Sequence, residues 1–191
     1  MDASPHFLLL AATLLDSSLD DDTTLLQLHA VFGPMLLSAM QLVDRREVVH
    51  VDLGGRGLYQ VRQVSSSAGA PYTLYLDLPE LPPPPAEDPR PETVEPPEEN
   101  AGEAVLREAT EQAARVRAVK LKAANDARLR ANAEKLRHMY CPCTGWAFNA
   151  LEGRHIFCKH VLAVLLAHRL GQTVRTRVGV HAAAGLLGIS A

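Results

Sequence analysis

Residues 139–171 read MYCPCTGWAFNALEGRHIFCKHVLAVLLAHRLG, and they contain all three cysteines of the 191-residue chain. Cys141 and Cys143 form a C-x-C pair, and Cys158 and His160 form a C-x-H pair further along. Three thiolates and one imidazole are a closed tetrahedral ligand set for Zn²⁺, with no position left for water. The sequence therefore predicts one structural zinc ion bound by these four side chains.

The spacing within each pair predicts the local fold. In an extended chain Cys141 and Cys143 point to the same side, so both sulfurs reach one ion. Within a regular helix Cys158 and His160 would diverge by about 200°, so we expect the helix to begin between them. The N-terminus of that helix would also favour the negative charge of the centre. The predicted order is strand, loop and helix.

Two alternatives to this ligand set stay open at this point. His155 is the competing fourth ligand. His160 is separated from Cys158 by one residue, as Cys141 is from Cys143, so the two pairs have the same short reach. A redox dithiol or a disulfide is the other alternative, and it would leave one of three cysteines unpaired. We favour the zinc set formed with His160.

At these residues the sequence resembles the SWIM-type zinc finger. That family places C-x-C, a loop and C-x-H before a hydrophobic helix, with an alanine three residues after the histidine. Ala163 stands at that position here, and the apolar run from Lys159 to Leu170 ends at Gly171, a helix-stopping residue. The resemblance implies a small zinc-binding module.

The N-terminal part predicts three helices followed by strands. The helices are expected at residues 5–18, 23–32 and 34–44, from apolar patterning and from prolines and acids at their starts. Val49, Val51 and Leu53 alternate with polar residues, which is typical of a strand. A glycine-rich turn at 54–57, a strand at 58–64, a serine-rich loop at 65–69 and a strand at 72–76 complete the predicted three-stranded antiparallel sheet.

The same region resembles the stretch before the zinc motif in the SWIM-domain subunit of the Shu complex. The similarity covers about residues 24–76 and 139–170. It rests on the following residues: Leu42 to Arg45, Tyr59 to Val61, Ser65 to Ser67, Tyr72, Thr73, Ala147, Phe148, Leu151 and Cys158 to Val164. In that family the third strand runs almost directly into the first cysteine, whereas about sixty residues intervene here.

The intervening insert has two parts. Residues 79–97 hold most of the prolines and several acids, so we expect them to be extended and solvated. Residues 101–137 are rich in Ala, Glu, Arg and Lys, with pairs such as Glu111 and Arg115 four positions apart. This pattern predicts one long helix. It keeps no strict heptad repeat along its length, so we favour a solvated helix over a coiled coil.

Composition limits the function. With 47% apolar residues the chain can form one core, and a net charge of −3 is too small to indicate a nucleic-acid partner for the whole chain.

Cysteines held by metal are typical of a reducing compartment. The apolar run from Phe7 to Leu15 is not preceded by the basic residues of a signal peptide, and it is too short to span a bilayer. We expect a soluble intracellular protein with no membrane and no small-molecule substrate. The sequence has no catalytic motif, so we expect no enzyme.

These patterns together predict an α+β fold, with small N-terminal helices, the three-stranded sheet and the strand-loop-helix finger, interrupted by the insert. The expected division is N-terminal helices and sheet at 1–78, insert at 79–138, finger at 139–171 and tail at 172–191. Apolar helices at both ends of so small a finger protein predict buried contact with another chain.

The Shu resemblance implies what that other chain is. It would be a RecA-like recombinase paralog in the nucleus, and the pair would promote assembly of the recombinase filament on single-stranded DNA in homologous recombination. One alternative is an adaptor in another assembly, such as ubiquitin ligation. Another is a finger that binds DNA directly through nearby basic residues, namely Arg154, Lys159, Arg169, Arg175 and Arg177.

Overall fold

Helices and strands are both present in the computed structural model, which describes residues 4–52, 57–61, 71–83, 101–152, 156–179 and 182. The helices within these residues are α1 (Pro5–Asp16), α2 (Asp22–Phe32), α3 (Pro34–Asp44), α4 (Ala101–Arg137), α5 (Thr144–Leu151) and α6 (Lys159–Arg169). The strands are β1 (Val48–Asp52), β2 (Gly57–Val61), β3 (Tyr72–Leu74) and β4 (Val174–Arg177). The predicted mixture of helix and strand is confirmed, and helix predominates.

The first three helices form where the sequence predicts them. Pro5 and Pro34 lie in the first turns of α1 and α3, where a proline sacrifices no helical hydrogen bond. Asp21 caps α2, because its carboxylate accepts hydrogen bonds from two backbone N–H groups of the first turn, at 3.3 and 3.2 Å. Gly33 joins α2 to α3 with a φ of +59°, a conformation that favours glycine. Local signals at the helix ends thus account for this part of the fold.

The sheet has four strands in the order β3-β2-β1-β4. β1 pairs antiparallel with β2, and β2 pairs antiparallel with β3. β4 lies on the other side of β1 and runs parallel to it, with Arg175 opposite His50. The predicted three-stranded antiparallel sheet is therefore corrected to a four-stranded mixed sheet, because the segment after α6 returns to it. Residues 54–56 of the predicted turn, 62–64 of the second strand and the loop at 65–69 lie outside the described residues.

Strand β1 does not follow the predicted alternation. Val48 and Val51 are the buried residues, while Val49 is only partly covered. Residues three apart on a strand point to opposite faces, and Val48 belongs to the main core whereas Val51 is buried outside it. Both faces of β1 are therefore covered, which the apolar-polar alternation of Val49 and its neighbours did not indicate.

Helix α6 lies at the centre of the core. Every residue from Val161 to Ala167 is buried, and α6 contacts α1, α3, β1 and β2. Phe157, just before α6, packs edge-to-face on Phe7 and Phe32, with ring centroids 6.0 and 5.2 Å away. The apolar surface of α6 is therefore buried within this chain, whereas Leu9 and Leu10 of α1 are exposed. Contact with another chain stays a prediction.

Helix α4 has the bounds that the sequence predicts, and Glu111 forms the expected ion pair with Arg115 at 3.8 Å. Residues 107–127 are exposed, as expected for a solvated helix. The last turns differ, because Leu129, Ala133 and Leu136 are buried against α1. The C-terminal part of the predicted insert is thus part of the core. The division of the chain at 78, 138 and 171 stays a prediction.

The start of the predicted proline-rich linker is also held in place. Asn132 of α4 is buried, and its amide accepts a hydrogen bond from the Glu80 N–H at 2.8 Å and donates one to the Glu80 carbonyl at 2.9 Å. Lys135 donates to the Leu78 carbonyl at 3.2 Å. Residues 84–97 of the linker lie outside the described residues. Among the helices that the structure describes, none has the length and hydropathy to span a bilayer.

Candidate metal centre

The C-x-C pair lies between two helices. Cys141 and Cys143 follow the end of α4, in a segment without regular secondary structure, and Cys143 is the N-cap of α5. The Trp146 N–H donates a hydrogen bond to the Cys143 sulfur at 3.3 Å. The predicted strand-loop-helix order is therefore wrong in two places, because no strand carries the C-x-C pair and the loop contains α5. A short segment with a glycine near its start, Gly145, gave little helix signal.

The C-x-H pair lies at the start of α6, as predicted. Cys158 is the N-cap with extended backbone angles, φ −133° and ψ 169°, and His160 is the second residue of the helix. The Val161 N–H donates to the Cys158 sulfur at 3.5 Å. The change from extended to helical backbone between Cys158 and His160 lets both side chains face the same point, which a continuous helix would prevent.

The four predicted ligands come together in one cluster. Their ligand atoms all lie within 4.8 Å of one another, and all four residues are buried. His160 Nδ1 lies 3.8 Å from the Cys141 sulfur and 4.0 Å from the Cys158 sulfur. A tetrahedral zinc ion with ordinary bond lengths separates its ligand atoms by about 3.5–3.8 Å. The cluster is therefore positioned to bind one zinc ion, with Nδ1 as the histidine ligand.

Electrostatics around the cluster favour a thiolate at Cys143. The thiols of Cys141 and Cys158 donate hydrogen bonds to the Cys143 sulfur, which lowers the pKa of Cys143 well below its usual value. The same hydrogen bonding, with burial, raises the pKa of Cys141. The N-termini of α5 and α6 both point at the sulfurs and stabilise negative charge there. One thiolate is thus favoured by the protein itself, and Zn²⁺ binding would displace the remaining thiol protons.

The surroundings of the cluster add residues that the sequence did not single out as part of the site. The Asn149 side chain donates a hydrogen bond to the Phe157 carbonyl at 2.9 Å, which ties α5 to the segment that leads into Cys158. The Tyr72 ring lies 4.8 Å from the His160 ring, centroid to centroid. His155, the alternative fourth ligand, lies outside the described residues. Recognising a helix in the loop between the two ligand pairs would have placed Asn149 beside the site.

The fold and site define a class: a closed, buried Cys₃His centre of the structural zinc type, formed where two short helices begin. Residues 130–169 match the family model of the SWIM zinc finger. The chain therefore contains a SWIM zinc finger, which extends from the last turns of α4 through α5 and α6. Comparison with curated proteins found no match to this chain, and comparison with solved structures found none either.

Proposed function

We propose that this chain is a non-enzymatic, zinc-binding subunit of a Shu-type complex. In this proposal it pairs with a RecA-like recombinase paralog in the nucleus and promotes recombinase filament assembly on single-stranded DNA during homologous recombination. The chain binds no membrane and no small-molecule substrate, and its cysteines serve as zinc ligands rather than as nucleophiles. The finger is its structural centre, and binding to another protein is its activity.

The observation that carries the proposal is the contact between the finger and the Shu-like stretch. Tyr72, at the end of that stretch, packs on the zinc ligand His160. Helix α3, which contains Leu42 and Val43 of the stretch, packs along α6, and both residues are buried. Helix α3, Tyr72 and the finger therefore pack together at the metal site, although the insert separates them in sequence.

The proposed partner surface is the outer side of α5. Phe148 and Leu151 lie one helical turn apart there and are exposed, Leu151 by 82%. Tyr140, also exposed, packs edge-to-face on Trp146 at 4.9 Å and borders the same helix. Aromatic and aliphatic side chains of this kind form the anchors of protein interfaces. Because α5 carries the Cys143 cap, this surface is ordered by the metal centre.

Direct DNA binding by the finger has less support. Arg169 donates hydrogen bonds to the carbonyls of Asp16 and Ser17 at 2.8 and 3.3 Å, so it caps α1. Arg177 lies 3.7 Å from the Asp52 carboxylate. Two of the basic residues that favoured a direct DNA contact thus have partners within the chain. In the proposal, DNA is reached through the complex.

Affinity purification of the tagged chain, with mass spectrometry of the co-purifying proteins, tests the proposal. We expect a RecA-like ATPase, and we expect Leu151→Asp to remove it. Leu26→Asp is the matched control, because Leu26 is also highly exposed, by 70%, but lies on α2. Both variants should keep one zinc per chain. Absence of a RecA-like ATPase would contradict the proposed partner. Equal loss of that ATPase in the two variants would contradict the proposed surface.

A further inference from the structure

The middle part of α4, from residue 107 to residue 127, extends into solvent. Every side chain from residue 107 to residue 127 is exposed, over about 30 Å of helix at 1.5 Å per residue. Only the last turns, which contain Leu129 and Leu136, pack on α1. An isolated helix is only marginally stable in water, so the apolar side chains on this part call for a physical explanation.

Five of these exposed residues, four apolar and one glutamine, form a short seam. They recur at alternating spacings of three and four, which is the a and d spacing of a coiled coil: Ala109, Gln112, Val116, Val119 and Ala123. At 100° per residue the seam lies roughly 130° around the axis from the stripe that packs on α1. It is therefore a second face of α4, and not a continuation of the first. Val119 is 68% exposed.

Basic residues flank the seam. In the heptad that begins at Val116, Arg115 and Lys122 occupy g positions and Lys120 occupies the e position between them. The preceding heptad has Glu108 at g and Ala113 at e, so the basic flank covers the second half of the seam. Two copies packed in parallel through this seam would bring Arg115 of one copy against Lys120 of the other, and like charges at e and g oppose pairing. Phosphate groups would pair with the basic side chains but leave the valines exposed to water. An acidic amphipathic helix would pair with the basic side chains and also cover the valines.

We propose that residues 109–123 of α4 dock a helix from a partner protein, with an apolar a and d face flanked by Asp or Glu. The valines pack into its apolar face, and Arg115, Lys120 and Lys122 pair with the acids beside it. This surface lies outside the zinc finger, which begins at residue 130, and does not depend on the function proposed above. The docked helix would complete a short two-stranded coiled coil.

The test uses the full-length, zinc-loaded chain and a synthetic peptide of three heptads, with Val at a, Leu at d and Glu at e and g. Fluorescence anisotropy should show saturable binding, and the same peptide with Lys at e and g should not bind. Val119→Asp should weaken binding by about tenfold or more, since it places a charge within the seam. Leu121→Asp should leave it within about twofold, because Leu121 is equally exposed, at 67%, but lies at the f position.

A second matched pair separates specific flanking charges from general basicity. Lys120→Glu should reduce peptide binding strongly, whereas Arg117→Glu, at the outward b position, should reduce it little. Equal losses within either pair, or no saturable binding to the acidic peptide, would overturn the proposal. Tighter binding to duplex or single-stranded DNA that both charge variants weaken equally would assign α4 to nucleic acid instead. A dimer in sedimentation that Val119→Asp dissociates would assign the seam to a second copy.

Discussion

Replacing Leu136 by alanine tests whether the end of α4 belongs to the core. The Leu136 side chain is fully buried, beneath α1 and the segment held by Asn132. Buried Leu→Ala changes cost about 2–5 kcal/mol, and the cost rises with the cavity that remains. A pocket of about 30 Å³ already adjoins Leu136, and the deletion would enlarge it. We expect a loss of about 3–4 kcal/mol in the free energy of unfolding.

Urea unfolding of the zinc-loaded chain, followed by circular dichroism, measures this loss. The control is Leu121→Ala on the same helix, where the side chain is exposed and the change should cost less than about 0.5 kcal/mol. Both changes remove the same atoms and have similar effects on helix propensity. If the two variants were equally stable, α4 would be solvated to its end and its docking on α1 would be refuted.

Two further predictions concern the metal ligands and His168. Cys158→Ser should abolish binding of one zinc per chain, measured by atomic absorption. His160→Cys should retain the zinc, because four thiolates are also a closed tetrahedral set. Zinc retained by Cys158→Ser would contradict the ligand assignment. Burial lowers the pKa of His168. A hydrogen bond with the Pro79 backbone opposes this shift, and the nearby charges of His50 and Arg175 add to it. The fold therefore favours neutral His168, so the free energy of unfolding falls as pH drops below about 6.5. His168→Gln should reduce the difference in that free energy between pH 7 and pH 5.5, measured by urea unfolding.

The parts of the fold predicted from sequence are those that local geometry determines. The start of α6 followed from the need for Cys158 and His160 to face one ion, and the bounds of α4 followed from its composition. Strand β4 was missed because its pairing with β1 is long-range, and because the alternation of Val174 and Thr176 with Arg175 and Arg177 is only four residues long and gives a weak signal. The elements that bury α6 could not be predicted for a related reason: apolar residues on several faces predict cover, but do not say which elements provide it.

The position of the zinc site makes the metal part of the main core. Cys158 and His160 begin the helix on which α1, α3 and the sheet pack, and Cys143 begins the helix that carries the proposed partner surface. Metal-binding energy in such a site is folding energy. Loss of zinc would therefore disturb the whole chain, so a ligand variant that fails to bind a partner cannot separate lost contact from lost fold. Leu151→Asp can, because Leu151 is exposed and touches neither the ligands nor the core. A zinc-loaded Leu151 variant that lost its partner would locate the interface on α5.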